Sequence, residues 1–169
     1  MKGSTPQAEW TETSHKHAVT ASLFSPAPIT MSRVPTANAA FSTVFIEELI
    51  RNGITMFYIC PGSRSTPLTA AVAKTVKTQK FSGIVRAVSV HDERGAAYRA
   101  IGFARKTGRP AVVITSSGTA VGNLYPAIME AQEDGVPLIL LTADRPYEAR
   151  GTGANQSIDQ VKVSATILE

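Results

Sequence analysis

From residue 37 onward, short runs rich in Val, Ile and Leu alternate with segments of helical periodicity, and this order restricts the fold more than any other feature. The runs are Thr55 to Cys60, Gly83 to Val90, Ala111 to Thr115 and Leu138 to Thr142. A strand buried on both faces shows no polar alternation, so such runs separated by helices predict a parallel sheet covered on both sides. The helices are expected at Asn38 to Arg51, Pro67 to Lys77, Asp92 to Lys106 and Gly118 to Glu133. In the first of them Phe41, Val44, Phe45, Ile46, Leu49 and Ile50 make an apolar stripe, and Gly53, Gly108 and Gly135 stand where helices should stop. The expected fold class is α/β: an open, doubly wound parallel sheet flanked by helices.

A length of 169 residues with 43% hydrophobic content suits one domain, assigned to residues 37–160. Residues 1–36 are rich in Ser, Thr, Pro and Ala without either periodicity, which predicts a disordered or linker tail. Its His15 and His17 lack further ligands and are expected to be surface residues, so no metal site is assigned. The net charge of +4 comes from scattered Lys and Arg with few interleaved aromatics, which argues against a nucleic-acid surface. The single cysteine, Cys60, leaves no intramolecular disulfide and no CxxC ligand pair, fits a reducing compartment, and is expected to be a buried, inert thiol. No apolar stretch is long enough to span a bilayer, so no membrane partner is expected. A cytoplasmic location is expected for a bacterial source. For a eukaryotic one, a plastid or other organelle stays open, although Glu9, Glu12 and a lone Arg33 depart from the composition of transit peptides.

In a parallel sheet of this kind, ligands bind beyond the carboxyl ends of the strands. The four runs lead into Pro61-Gly62-Ser63-Arg64-Ser65-Thr66, His91-Asp92-Glu93-Arg94, Ser116-Ser117-Gly118-Thr119 and Ala143-Asp144-Arg145-Pro146. The turns at the opposite edge, "RNGIT", "KTGRP" and "EDGVP", carry no comparable set. Ser63, Thr66, Asp92, Ser117 and Thr119 are also the residue types that cap helices, and capping alone would account for any of them. Arg64 and Arg145 fit that explanation less well, because the helix dipole disfavours a cation at a helix start. A planar guanidinium there suits a carboxylate or phosphate, so two of them point to an acidic ligand. Glu93 has two readings: an acid placed favourably in a first helical turn, or a proton-handling carboxyl beside the small residues Gly95, Ala96, Ala97 and Ala100. The stretch "TSSGTAVGN" resembles a phosphate-holding helix start but lacks the Lys of a Walker loop and the GxGxxG spacing.

Five stretches, "CPGSRSTPL", "HDERGAAYRAIGFA", "VITSSGTAVGNLYPAIMEA", "PLILLTADRPYE" and "GANQSIDQ", occur in an order that resembles one family. From about Phe41 to Gln160 the chain is similar to the N-terminal, pyrimidine-binding domain of the thiamine diphosphate-dependent, MenD-type 2-succinyl-5-enolpyruvyl-6-hydroxy-3-cyclohexene-1-carboxylate synthases. The resemblance implies decarboxylation of 2-oxoglutarate and addition of the succinyl unit to isochorismate, in menaquinone or phylloquinone biosynthesis. It implies that Glu93 is the glutamate that hydrogen-bonds the aminopyrimidine of the cofactor and favours its imino tautomer. It further implies cofactor contacts from Pro61, Gly62, Ser117, Gly118, Thr119 and Asn123, and substrate contacts from Ser63, Arg64, Arg145, Asn155 and Gln156. Family members are longer. They hold diphosphate and Mg²⁺ through a Gly-Asp-Gly…Asn motif in a C-terminal domain, and they form the site between subunits of a homo-oligomer. That motif is absent here, and residues 161–169, "VKVSATILE", diverge from the family.

The expectation is therefore half of an active site, inactive alone. Two alternatives stand beside it: a non-catalytic module that pairs with a full-length synthase through an apolar surface, and, from the Ser-rich loop, a sugar-phosphate isomerase-like domain.

Overall fold

The computed structural model describes residues 36–78 and 83–165. The tail expected over 1–36, with His15 and His17, thus lies outside the described residues apart from Thr36, as do residues 166–169. Thr36 opens α1 (Ala37–Arg51): its Oγ1 accepts from the Ala39 N–H at 3.2 Å and satisfies a donor that every helix start leaves open. Ser42, Ile46 and Ile50, spaced by four, form the buried face of this helix. The expected stripe is only half right. Phe41, Val44 and Phe45 face outward, Phe41 with 66% of its surface exposed and its ring stacked on Phe45 at 5.7 Å. Neighbouring residues sit about 100° apart around a helix, so a helix this apolar cannot turn all of its large side chains to one sheet.

Four strands follow: β1 (Met56–Ile59), β2 (Arg86–Ser89), β3 (Ala111–Thr115) and β4 (Leu138–Thr142). All pair in parallel in the order β2-β1-β3-β4, with Phe57 opposite both Ala87 and Val112, and Val112 opposite Ile139. Side chains alternate between two cores. Phe57, Ile59, Val112 and Ile114 pack on Ile46 and Ile50 of α1 and on Ala71 and Val72 of α2 (Thr66–Lys77). Met56, Tyr58, Ala111 and Val113 pack on the other face, against Ala96, Ala97, Ala100 and Ile101 of α3 (Glu93–Thr107). Helices thus cover both faces, as a doubly wound sheet requires. Coverage is complete for β1 and β3 but not for β2, whose Arg86, Ala87 and Ser89 are exposed at the sheet edge. β2 is also shorter than the run from Gly83 to Val90 suggested.

Two further departures bear on the site. The helix expected over Gly118 to Glu133 is two helices, α4 (Thr119–Gly122) and α5 (Tyr125–Glu133). Pro126 has no N–H to give to the Gly122 carbonyl, so one continuous helical ladder cannot pass through this point. A short helix, α6 (Gln160–Ala165), also closes the described chain where none was expected.

Of the five residues with a capping alternative, Asp92 alone caps a helix with its side chain. Its Oδ1 accepts from the Gly95 N–H at 3.1 Å at the start of α3. The Thr66 hydroxyl donates to the Gly62 carbonyl at 3.4 Å, and the Ser117 hydroxyl donates to the Gln156 carbonyl. Asp92→Ala should therefore lower stability by ~1 kcal/mol, read as a reduced urea midpoint with an unchanged slope.

Candidate active site

The chain moves from β1 to β2 on one side and from β3 to β4 on the other, so the strand order reverses between β1 and β3. Ligands in open parallel sheets sit outside the strand ends at such a reversal. The loops leaving these two strands meet there: a Cβ on Gly62 would lie 2.6 Å from the Cβ of Ser116. Only a residue without a side chain lets the β1 loop approach the β3 loop this closely.

Around this point the residues singled out from sequence fall into two sets. The first surrounds Glu93, the opening residue of α3, which is half-buried. Its Oε2 accepts a hydrogen bond of 2.9 Å from Nδ2 of Asn123, in the break between α4 and α5. Cys60, at the end of β1, is buried, and its thiol is pushed up to about 11, first by burial and then by the negative charges of Glu93 and Asp92. The thiol therefore stays protonated at neutral pH, as expected of an inert cysteine.

The second set centres on Asn155 and Gln156. Arg145, just past β4, donates from Nε and Nη2 to the Asn155 carbonyl at 3.1 and 2.8 Å, and from Nη2 to the Asn155 side chain. Arg64, from the β1 loop, donates from Nη1 to Oε1 of Gln156 at 2.5 Å and from Nη2 to the Asn155 carbonyl at 3.4 Å. Both guanidiniums are half-buried, and neither is paired with a carboxylate among the described residues. One carbonyl oxygen, that of Asn155, accepts from both, in a place that an anionic oxygen would suit. Gln156 adopts a left-handed backbone (φ 53). Its carbonyl accepts from the Ser117 hydroxyl at 2.7 Å, and its backbone presses on Gly118.

Pro61, Ser63 and Thr119 lie exposed at the same edge. No hydrogen bond joins the Glu93 set to the arginine set among the described residues. Sequence reasoning assigned no role to Gln160 or Asp144. Gln160 is buried; its Oε1 accepts from the Gly118 N–H at 2.9 Å and its Nε2 donates to the Ala143 carbonyl at 3.1 Å, tying the β3 loop to the end of β4. Asp144 accepts from the Arg145 N–H and pairs with Arg150, each at 2.7 Å. The only signal for Gln160 was its place at the end of the fifth motif, because its burial depends on a helix not foreseen. A cavity of about 430 Å³ opens beside it, lined by Arg150, Gly151, Ser157, Ile158 and Asp159, and Glu93 is not among its walls.

Among the described residues no helix is long and apolar enough to cross a membrane, and no group of three or more His, Cys, Asp or Glu is gathered to hold a metal ion.

Comparison with known proteins places these features in a family. The model for the N-terminal TPP binding domain of thiamine pyrophosphate enzymes matches residues 40–163, which include both sets of site residues. Among curated relatives, a 2-succinyl-5-enolpyruvyl-6-hydroxy-3-cyclohexene-1-carboxylate synthase of Rubrobacter xylanophilus is 52% identical over 126 residues, covering 75% of this chain and 21% of the relative. The protein of the same name from Salinibacter ruber is 50% identical over 129 residues, covering 76% of this chain and 21% of its own length. This chain thus spans about a fifth of the length of the curated relatives it matches. With more than half of its residues under one family model, the chain belongs to the thiamine pyrophosphate enzymes, as their N-terminal TPP binding domain.

Proposed function

We propose that residues 37–160 form the pyrimidine side of the active site in a synthase that decarboxylates 2-oxoglutarate and adds the succinyl unit to isochorismate, within menaquinone or phylloquinone biosynthesis. The observation that carries this reading is the presence, at one sheet edge, of a half-buried carboxyl and of two guanidiniums that have no carboxylate partner among the described residues. The donor chemistry suits thiamine diphosphate: the Glu93 carboxyl can give or accept a proton at a ring nitrogen, and the closely apposed Gly62 and Ser116 offer backbone against a flat ring. When bound, the cofactor supplies the electron sink for decarboxylation. Glu93 exchanges a proton through its carboxyl, while Pro61, Gly62, Ser117, Gly118 and Thr119 line the ring. Ser63, Arg64, Arg145, Asn155 and Gln156 receive the carboxylates of both substrates, with the arginines giving the charge-assisted bonds. Mg²⁺ and the diphosphate belong to the part of a complete synthase beyond this segment. The outward Phe41, Val44 and Phe45 of α1 support an oligomer in which another surface covers them.

The test joins this segment to the rest of the Rubrobacter xylanophilus relative and assays product formation from 2-oxoglutarate and isochorismate. Product is expected only when thiamine diphosphate is present; a folded, cofactor-binding chain that makes none overturns the assignment. In that complete synthase Arg145→Ala should raise KM for at least one substrate about ten- to hundredfold, the worth of a charged hydrogen bond, with cofactor affinity unchanged.

A further inference from the structure

We propose that Asn123 is a positioning residue for Glu93, fixing which carboxylate oxygen faces the ligand; this rests on the reading of Glu93 as the proton-handling group. The geometry begins with Pro126, which ends α4 after a single turn and leaves Asn123 and Leu124 between two helices. The backbone N–H of Asn123 donates to the Thr119 carbonyl at 2.9 Å, which anchors the residue, and its side-chain amide reaches Oε2 of Glu93 at 2.9 Å. The two residues lie 30 positions apart, so the contact belongs to the tertiary fold and not to one helix. No other side chain is hydrogen-bonded to the Glu93 carboxylate among the described residues. An amide N–H on Oε2 halves the orientations open to the group and favours Oε1 as the oxygen that carries the proton.

The charged and titratable groups around the carboxylate are few. β1 contributes the Cys60 thiol, which stays neutral, and α3 contributes its own cap, Asp92, with His91 and Arg94 exposed on either side. α4 contributes no ionisable side chain.

Two measurements decide the matter. In the 169-residue chain, ¹H–¹⁵N NMR follows the side-chain amide of Asn123, assigned by its loss in Asn123→Ala. Glu93→Ala removes the acceptor and should speed hydrogen exchange of that amide about five- to tenfold, the worth of one hydrogen bond. A residue needed only for the helix break would keep its exchange rate in that variant. An Asn123 amide unmoved by Glu93→Ala overturns the proposal. In the complete synthase, Asn123→Ala should cut kcat about tenfold, and should cost nothing more when Glu93 is already Gln. Additive losses would show that Asn123 acts on the cofactor by itself, which also overturns the proposal. Full turnover in Glu93→Gln would instead remove the reading of Glu93, and the amide exchange would still decide whether Asn123 holds that carboxylate.

Discussion

In a complete synthase carrying this segment, Glu93→Gln is expected to lower kcat by at least about a hundredfold, the scale of a lost acid–base group, while the fold and the dimensions of the site stay the same. The substitution keeps the shape and keeps an oxygen for the Asn123 amide to reach, so the helix start loses little. Asp92, not Glu93, caps α3, so the stability cost should stay within ~0.5 kcal/mol, the range of an ordinary surface change. What glutamine cannot do is pass a proton. The result to seek is therefore a collapse of kcat with the urea midpoint and cofactor affinity nearly unmoved. Wild-type turnover in the glutamine variant would take Glu93 out of the chemistry. An equal loss of stability and turnover would mark it as a structural residue.

The separation of Asp92 from Glu93 also shows where sequence was informative. Two adjacent acids at a strand end cannot be told apart by spacing, since either suits the first turn of a helix. The structure separates them by one hydrogen bond each: Asp92 to its own helix, Glu93 across to Asn123. The sheet itself was legible because β1 and β3 are buried on both faces and therefore carry uninterrupted apolar runs. β2 misled in length because its Arg86, Ala87 and Ser89 are exposed, so no burial specifies them. The split between α4 and α5 was written in Pro126 but masked by an apolar pattern that continues through the break. Arg64 and Arg145 stood out because no local rule calls for a cation at a helix start. Gln160 did not, because a polar residue becomes a buried clamp only through contacts with Gly118 and Ala143, at separations of 42 and 17 residues.

Gly118 carries the second large effect. Its backbone, at φ 72 and ψ −124, lies in a region that residues with a Cβ avoid, and a Cβ there would sit 2.7 Å from Cα and 2.9 Å from the carbonyl carbon and oxygen of Gln156. Those are backbone atoms, which cannot swing away as a side chain can. Gly118→Ala should therefore cost roughly 3 kcal/mol, combining backbone strain with overpacking, and it should show as a lower urea midpoint. Gly102, in the exposed interior of α3, is the matched control, because a Cβ added there would meet nothing within 4 Å. There the same substitution should stabilise by ~0.5–1 kcal/mol through helix propensity. Opposite signs from one chemical change would tie the effect to the site and not to glycine as such. The damage should also reach function. The alanine methyl has to push Gln156 off the β3 loop, weakening the Ser117 bond to its carbonyl and the Arg64 bond to its side chain. Substrate KM should then rise in company with the loss of stability, whereas Glu93→Gln touches kcat alone. A Gly118→Ala chain as stable as its parent would mean that Gln156 is not held against the β3 loop, and Arg64 would then lack the anchored partner that now fixes its place.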